Sequence, residues 1–277
     1  MADAPRSVLV TGTSSGIGRA TVERLAGAGT LVFAGLRHAG GAEDDSNGRV
    51  VHLQLDVTDA RQIEAAAAAI AERTGGTLDG VVHNAGIPVA GALEEIEADE
   101  LRRIFEVNVF APILLTQALL PMLRGARGRV VIVGSVGGRV ALPFGGPYHA
   151  TKFALEGLAD SLRLELRPQG VGVAIVEPGT ISTPIWSKAE RVVEAQGVRL
   201  DQVGRSLYGS RLATFQDKLR EADEGGDAAA EVAAKIVEAL EGGGSRYPVG
   251  RGIGTITRLR SLIPDALFDR LVGSRIA

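Results

Sequence analysis

Seven short apolar runs punctuate the chain, at residues 7–10, 31–36, 50–55, 78–82, 129–133, 171–176 and 246–249. Each has the length of a strand, and all but the last, Arg246-Tyr247-Pro248-Val249, are rich in Val, Leu or Ile. The stretches between them place apolar residues three and four apart. This helical spacing follows Gly18 through Leu25, fills the alanine-rich segment 61–73 and the segment 99–107, and continues from Asn108 to Leu123. A further helix begins near Asp227. Strand and helix in alternation predict an α/β protein: three layers, with a doubly wound parallel sheet of about seven strands between two layers of helices. Asp59 stands where a helix cap is needed, and Pro248 puts the last run at an edge or a strand end. No internal repeat and no linker interrupts the pattern, so residues 1–277 read as one domain.

Open parallel sheets bind ligands beyond the C-terminal ends of their strands, so the residues that follow each run carry the functional signal. The first run closes in Thr11-Gly12-Thr13-Ser14-Ser15-Gly16-Ile17-Gly18. Strand, glycine turn and helix in that order suit a dinucleotide. Glycines let the backbone approach a pyrophosphate, and a helix N-terminus offers free N–H groups. The spacing Gly12, Gly16, Gly18 departs from G-x-G-x-x-G, and taken alone it also reads as a plain turn into a helix. The third run ends in Asp56-Val57, the fourth in Asn84-Ala85-Gly86, and the sixth in Glu177-Pro178-Gly179; the fifth delivers Ser135.

The second run leads into Arg37-His38. At this strand end a carboxylate binds a ribose 2′-hydroxyl, whereas an arginine accommodates a 2′-phosphate. Arg37 follows the strand at once, no acid stands at its end, and Ser14 and Ser15 are available from the first loop. The expected cofactor is therefore NADP(H) rather than NAD(H). The other reading of Arg37 is a solvated loop arginine.

Tyr148-His149-Ala150-Thr151-Lys152 pairs a phenol with an ammonium four residues later, on one face of a helix. A cation there is expected to lower the phenol pKa and let it exchange a proton near neutral pH. The lysine is informative because the chain has 30 Lys+Arg but only four lysines: Lys152, Lys188, Lys218 and Lys235. A basic residue here is arginine by default, so Lys152 suggests a site that wants a compact ammonium.

These elements, in this order, resemble the short-chain dehydrogenases/reductases of the common type, and the resemblance covers nearly the whole chain. It implies a Rossmann-like fold, a nicotinamide cofactor and a catalytic group of Asn108, Ser135, Tyr148 and Lys152. Tyr148 is then the general acid/base, Ser135 a hydrogen-bond partner of the reacting oxygen, and Lys152 the holder of the nicotinamide ribose. Asn108 is expected to anchor a water leading to solvent. The cofactor site implied comprises Gly12, Thr13, Ser14, Ser15, Gly16, Ile17, Gly18, Arg37, Asp56, Val57, Asn84, Ala85, Gly86, Tyr148, Lys152, Pro178, Gly179, Ile181 and Thr183. Departures are small: His83 where many members have Asn, and Gly134 where many have a second serine.

Between Gly179 and Asp227 lie about 47 residues, more than a connection needs. The segment of about 180–226 reads as a substrate lid of short helices. Ser135, Leu142, Phe144, Tyr148, Gly179 and Trp186, the sole tryptophan, are the expected substrate contacts. An apolar pocket suits a steroid, retinoid or other lipid-like alcohol or ketone, in keeping with a resemblance to 17β-hydroxysteroid and retinol dehydrogenase-like members. The alternative is that lid side chains pack on one another. The extension, about 251–277, interleaves Leu259, Leu262, Ile263, Leu267, Phe268 and Leu271 with Arg258, Arg260 and Arg270. It is expected to pack on its own domain, the alternative being a membrane surface.

Composition narrows the rest. With no cysteine there is no disulfide frame or thiol chemistry. His38, His52, His83 and His149 lack ligand spacing, so no metal site is expected. A net charge of −3 argues against nucleic acid. The apolar stretch 107–123 is interrupted by Asn108, Pro112, Gln117 and Pro121, and the N-terminus lacks an apolar signal core, so a cytoplasmic protein without a membrane span is expected. The resemblance implies a homodimer, with a tetramer as the alternative. Two other functions fit the same motifs: a dinucleotide-sensing binding protein, and an epimerase or dehydratase that uses NAD(P).

Overall fold

Every one of the seven apolar runs becomes a strand of one parallel sheet. The computed structural model describes residues 7–38, 48–182, 185–226 and 228–276. The strands are β1 (Ser7–Thr11), β2 (Leu31–Leu36), β3 (Val50–Gln54), β4 (Gly80–His83), β5 (Arg129–Val133), β6 (Gly172–Pro178) and β7 (Arg246–Val249). Their order is β3-β2-β1-β4-β5-β6-β7. The chain thus winds outward from β1 in one direction, returns, and winds outward from β4 in the other. A crevice opens at such a reversal, between the C-terminal ends of β1 and β4.

Strand alternation divides the core. Val8 and Val10 face a cluster built with Val22 and Leu25 of α1 (Gly16–Gly27) and Val232, Ile236 and Leu240 of α8 (Ala229–Glu241). Leu9, between them, faces the opposite cluster. There it meets Ile63 and Ile70 of α2 (Ala60–Thr74), Leu115, Leu119 and Leu123 of α4 (Ala111–Ala126), and Leu155 and Ala159 of α5 (Gly146–Leu166). Asp59 caps α2, accepting from the Arg61 and Gln62 amides, as its position predicts.

Two regions differ from expectation. Asn108 was expected to open a helix, but α3 (Ala98–Phe105) runs through a π-helical turn, Glu106–Phe110, directly into α4. Asn108 lies inside that turn, and such single turns recur at functional sites. The combined helix, 98–126, is long and apolar enough to cross a membrane by length and composition alone. Its Leu115, Leu119 and Leu123 are fully buried against the sheet, as in a core helix.

The segment expected to form a lid is not built of short helices. It is a helical hairpin of α6 (Ile185–Arg199) and α7 (Gln202–Gly225), turned at Asp201, whose carboxylate accepts from the Gly204 amide at 2.7 Å. Ala189, Val193, Leu200, Leu212 and Leu219 close it around Phe144. After β7 the chain continues as α9 (Ile253–Leu259) and α10 (Asp265–Ile276). Arg260 ties this extension together by lying 4.2 Å over the Phe268 ring and pairing with Asp265 at 2.8 Å. Leu259, Leu262 and Leu267 remain exposed.

Candidate active site

The loop between β1 and α1 has the shape of a phosphate cradle. Gly12 and Gly16 adopt φ of +68° and +57°, which side chains rarely tolerate. A Cβ on Gly12 would stand 2.8 Å from the Ala85 backbone, and one on Gly18 would stand 2.3 Å from the Gly12 carbonyl. Ser15 precedes α1 without capping it, and no acid occupies the first turn, so the positive end of the helix is left for an anion. The residues present therefore fit a dinucleotide pyrophosphate.

Thr13 is spent internally, donating to the Gly35 carbonyl at 3.2 Å, whereas Ser14 is exposed. Asn84 braces the turn by donating to the carbonyls of Thr11 (2.9 Å) and Gly12 (3.0 Å). The buried Thr11 hydroxyl accepts from the amides of Asn84 and Ala85, both at 3.0 Å. The sequence signal for that role was present in the motif itself, at its first residue.

Arg37 is exposed at the end of β2, near enough to Asp56 to help hold its carboxyl below the usual range. The larger causes of that shift are the hydrogen bonds from Thr58. Val57 is buried, and Gly86 is exposed beside Asn108. On the far side, Gly179 donates to the Val249 carbonyl at 2.9 Å, and a Cβ on it would meet Ile253 at 2.7 Å. The extension therefore begins by covering Gly179. Ile181 is buried in the core, and Thr183 lies outside the described residues.

The four expected catalytic residues sit where β4, β5 and the helices meet. Ser135 follows β5 and caps a 3-10 turn, Val136–Gly138, accepting from the Gly137 amide at 3.0 Å. Tyr148 enters on the first turns of α5, near enough to Ser135 for that hydroxyl to favour the charged form of its phenol. Lys152, one turn on, is buried; its ammonium lies 5.6 Å from the centre of the Tyr148 ring and donates to the Val133 carbonyl at 2.9 Å.

Asn108 is a clamp. Its Oδ1 accepts from the Ile87 amide (2.9 Å), and its Nδ2 donates to the Ile87 carbonyl (3.0 Å) and the Thr151 hydroxyl (3.2 Å). Thr151, fully buried, donates in turn to the Tyr148 carbonyl at 2.7 Å. The π-helical turn is thereby fastened to both the β4 end and the Tyr148 helix.

The electrostatics correct one expectation. Burial pushes the Tyr148 phenol up to about 12, and the nearby Ser135 hydroxyl offsets only part of this. The neighbouring cation was expected to lower it. Lys152 is itself desolvated, which pushes it down to about 8, and its ammonium is engaged with Val133 over the ring rather than at the phenol oxygen. Desolvation thus wins over the pairing for both groups.

Among the expected substrate contacts, Leu142 is exposed. Phe144 is buried, its ring turned toward the lid at 5.6 Å from Phe215 and 6.4 Å from Tyr208. Its φ of +63° is costly for an aromatic residue, by roughly 1–3 kcal/mol. The lid packing and the hydrogen bond from the Gly91 amide to its carbonyl (2.7 Å) hold it there. The side chain of Trp186 lies outside the described residues. Among those residues no cluster of acids and histidines could hold a metal ion.

Comparison with known proteins agrees with this geometry. The family profile described as short chain dehydrogenase matches residues 6–193. Mouse retinol dehydrogenase 5 is 39% identical over 73% of this chain, which spans 65% of that relative's length. An NADPH-dependent 3-dehydrocapnine reductase of Ornithobacterium rhinotracheale is 33% identical over 96% of this chain and 95% of its own. A short chain dehydrogenase/reductase from Burkholderia phymatum, solved with NAD, shares the fold with a TM-score of 0.80 at 24% identity, covering 95% of each chain. The chain belongs to the short-chain dehydrogenase family.

Proposed function

We propose that the protein is an NADP(H)-dependent oxidoreductase that interconverts a secondary alcohol and a ketone, or a primary alcohol and an aldehyde. The observation that carries this reading is the convergence of Ser135, Tyr148 and Lys152 beside a glycine turn that leaves space only for backbone. The nicotinamide supplies or accepts the hydride when bound. Tyr148 holds a proton throughout the neutral range and gives it to the carbonyl oxygen as negative charge develops there. Ser135 donates a second hydrogen bond to that oxygen. Lys152 lies within reach of the phenol ring and adds positive potential while it is charged. A phenol that keeps its proton suits reduction better than oxidation near neutral pH.

The preference for NADP(H) rests on Arg37, exposed directly after β2 with Ser14 exposed on the first loop and no acid among residues 31–38. The NADPH-dependent relative supports it. An apolar steroid-, retinoid- or lipid-like substrate is supported by the retinol dehydrogenase relative and by the apolar face that α6 and α7 turn toward Phe144. A homodimer through α4 and α5 is supported by their exposed Leu114, Phe153 and Leu164, with Phe110 just before α4.

The test is a panel of ketones, aldehydes and alcohols offered with NADPH and with NADH, with products identified. The expected result is stoichiometric NADPH oxidation with apolar ketones or aldehydes. Turnover confined to small polar ketones would overturn the substrate class. Cofactor binding without turnover would favour a dinucleotide sensor, and product without net cofactor consumption an epimerase or dehydratase.

A further inference from the structure

A cluster of charges lies directly behind the catalytic residues, and the reaction just described makes no use of it. Glu156 stands one turn beyond Lys152 on α5 and is 6% exposed; Glu177, on β6 immediately before Pro178, is 2% exposed. Arg139, which closes the 3-10 turn begun by Ser135, reaches between them. Its Nε donates to Glu177 at 2.9 Å, and its Nη2 lies 3.3 Å from Glu156. Arg246 of β7 approaches Glu156 from the other side at 3.2 Å and pairs with Asp160 at 2.7 Å, and Arg163 pairs with Asp160 in turn at 3.0 Å.

Gathering two carboxyl groups in a buried site is an expensive way to stabilise a fold, since apolar side chains of similar volume commonly do as well or better. Burial and the neighbouring Glu177 push the Glu156 carboxyl up to about 7, and its Oε1 is buried with no hydrogen-bond partner. What the cluster does accomplish is geometric. It joins the serine turn, the Tyr148 helix and the β6 end, which between them carry Ser135, Tyr148, Lys152 and Pro178.

A second observation shows how closely the turn is held. A Cβ on Gly138 would stand 2.8 Å from the Lys152 carbonyl and 3.3 Å from the Glu156 side chain, so the turn lies directly on α5. The Arg139 amide donates to the Val136 carbonyl at 2.9 Å and the Gly138 amide to the Ser135 carbonyl at 2.9 Å. A pull on the Arg139 side chain is therefore transmitted to Ser135 through a short, fully hydrogen-bonded turn.

We infer that Arg139 is a positioning residue: by bridging Glu177 and Glu156 it fixes the Ser135 hydroxyl against Tyr148 at the distance that carbonyl reduction requires. The inference rests on the oxidoreductase reading above. It separates Arg139 from Arg246, which contacts Glu156 and Asp160 but not the serine turn. Loss of either arginine removes one positive charge from the same carboxyl cluster; only loss of Arg139 releases the turn.

The experiment compares the parent with Arg139→Met, Arg139→Lys, Arg246→Met and the charge-balanced Arg139→Met/Glu156→Gln. For each, NADPH affinity is read by fluorescence titration, and kcat and KM are read with the best ketone of the panel. Arg139→Met is expected to lower kcat at least tenfold with NADPH affinity and ketone KM within threefold of the parent. Arg139→Lys should recover part of the loss, and Arg246→Met should stay within threefold of the parent. If Arg139→Met does not fold, the double variant is judged by the same criteria. The inference is overturned if kcat stays within twofold of the parent, if kcat and cofactor affinity fall together, or if Arg246→Met loses as much as Arg139→Met. A parent with no turnover would instead overturn the oxidoreductase reading, and this inference with it.

Discussion

Lys152 reaches past the phenol it accompanies: its ammonium sits over the Tyr148 ring, 5.6 Å from the centroid, and donates to the Val133 carbonyl at 2.9 Å. That arrangement leaves the phenol desolvated and protonated, up at about 12, and the lysine poised at about 8. Proton supply and positive charge therefore respond to pH separately. Below about 8, Lys152 is charged and Tyr148 protonated; above it, the charge is lost while the phenol keeps its proton. The rate of carbonyl reduction is expected to be flat from pH 6 to 7.5, then to fall as pH rises through roughly 8. A pH profile of kcat/KM checks this, and a Lys152→Met variant, slow throughout, should lack the step.

The proposed preference for NADP(H) makes Arg37 the residue expected to discriminate between the cofactors. Arg37→Ala is expected to raise the KM for NADPH about tenfold, or about 1.4 kcal/mol, and to leave that for NADH within twofold. Arg37→Asp should go further and invert the preference. Initial rates with both cofactors decide it.

Gly18 has no space for even a methyl group, since its Cβ position lies 2.3 Å from the Gly12 carbonyl and 2.5 Å from the Asn84 amide nitrogen. Gly18→Ala must push the turn away from Asn84. Cofactor affinity is expected to fall by at least tenfold in a protein that keeps its far-UV circular dichroism.

His83 gives the fold a defined acid weakness. It is 4% exposed, hydrogen-bonded to Thr116 at 2.8 Å, and burial pushes it down to about 4. Between its unfolded value of about 6.5 and its folded value, the unfolded chain binds a proton that the folded chain refuses. Stability is thus lost as pH falls through that window, by about 3 kcal/mol at its lower end. Glu156, raised to about 7, works in the opposite sense, favouring the fold at low pH and losing that contribution between about 4.5 and 7. Urea unfolding of His83→Asn beside the parent isolates the histidine, since Glu156 is common to both. The parent should lose stability relative to the variant between pH 7 and pH 4.

The sheet was legible in the sequence because its strands are buried on both faces and read as continuous apolar runs. The glycine turn and the Tyr148–Lys152 spacing were legible because each is local: a backbone constraint or one helical turn fixes the geometry. The π-helical turn at Asn108 left no trace, because one extra residue in a turn barely disturbs a pattern of three- and four-residue spacing. The length of α6 and α7 was missed because their apolar face is shared with Phe144, 41 and more residues earlier, and no local pattern signals such a partner. Arg139 and Glu177, 38 residues apart, meet only through the register of β5 and β6. The direction of the Tyr148 shift was misjudged for the same reason: spacing shows which charge is near, whereas desolvation depends on the whole packed fold.

The proposed role of Tyr148 is to supply the proton to a carbonyl reduced at this site. Its most direct test is single-turnover oxidation of enzyme-bound NADPH by a ketone substrate, compared between the parent and Tyr148→Phe. The variant is expected to bind NADPH within threefold of the parent and to transfer hydride about 10²- to 10⁴-fold more slowly. Hydride transfer in Tyr148→Phe at the parent rate would contradict it.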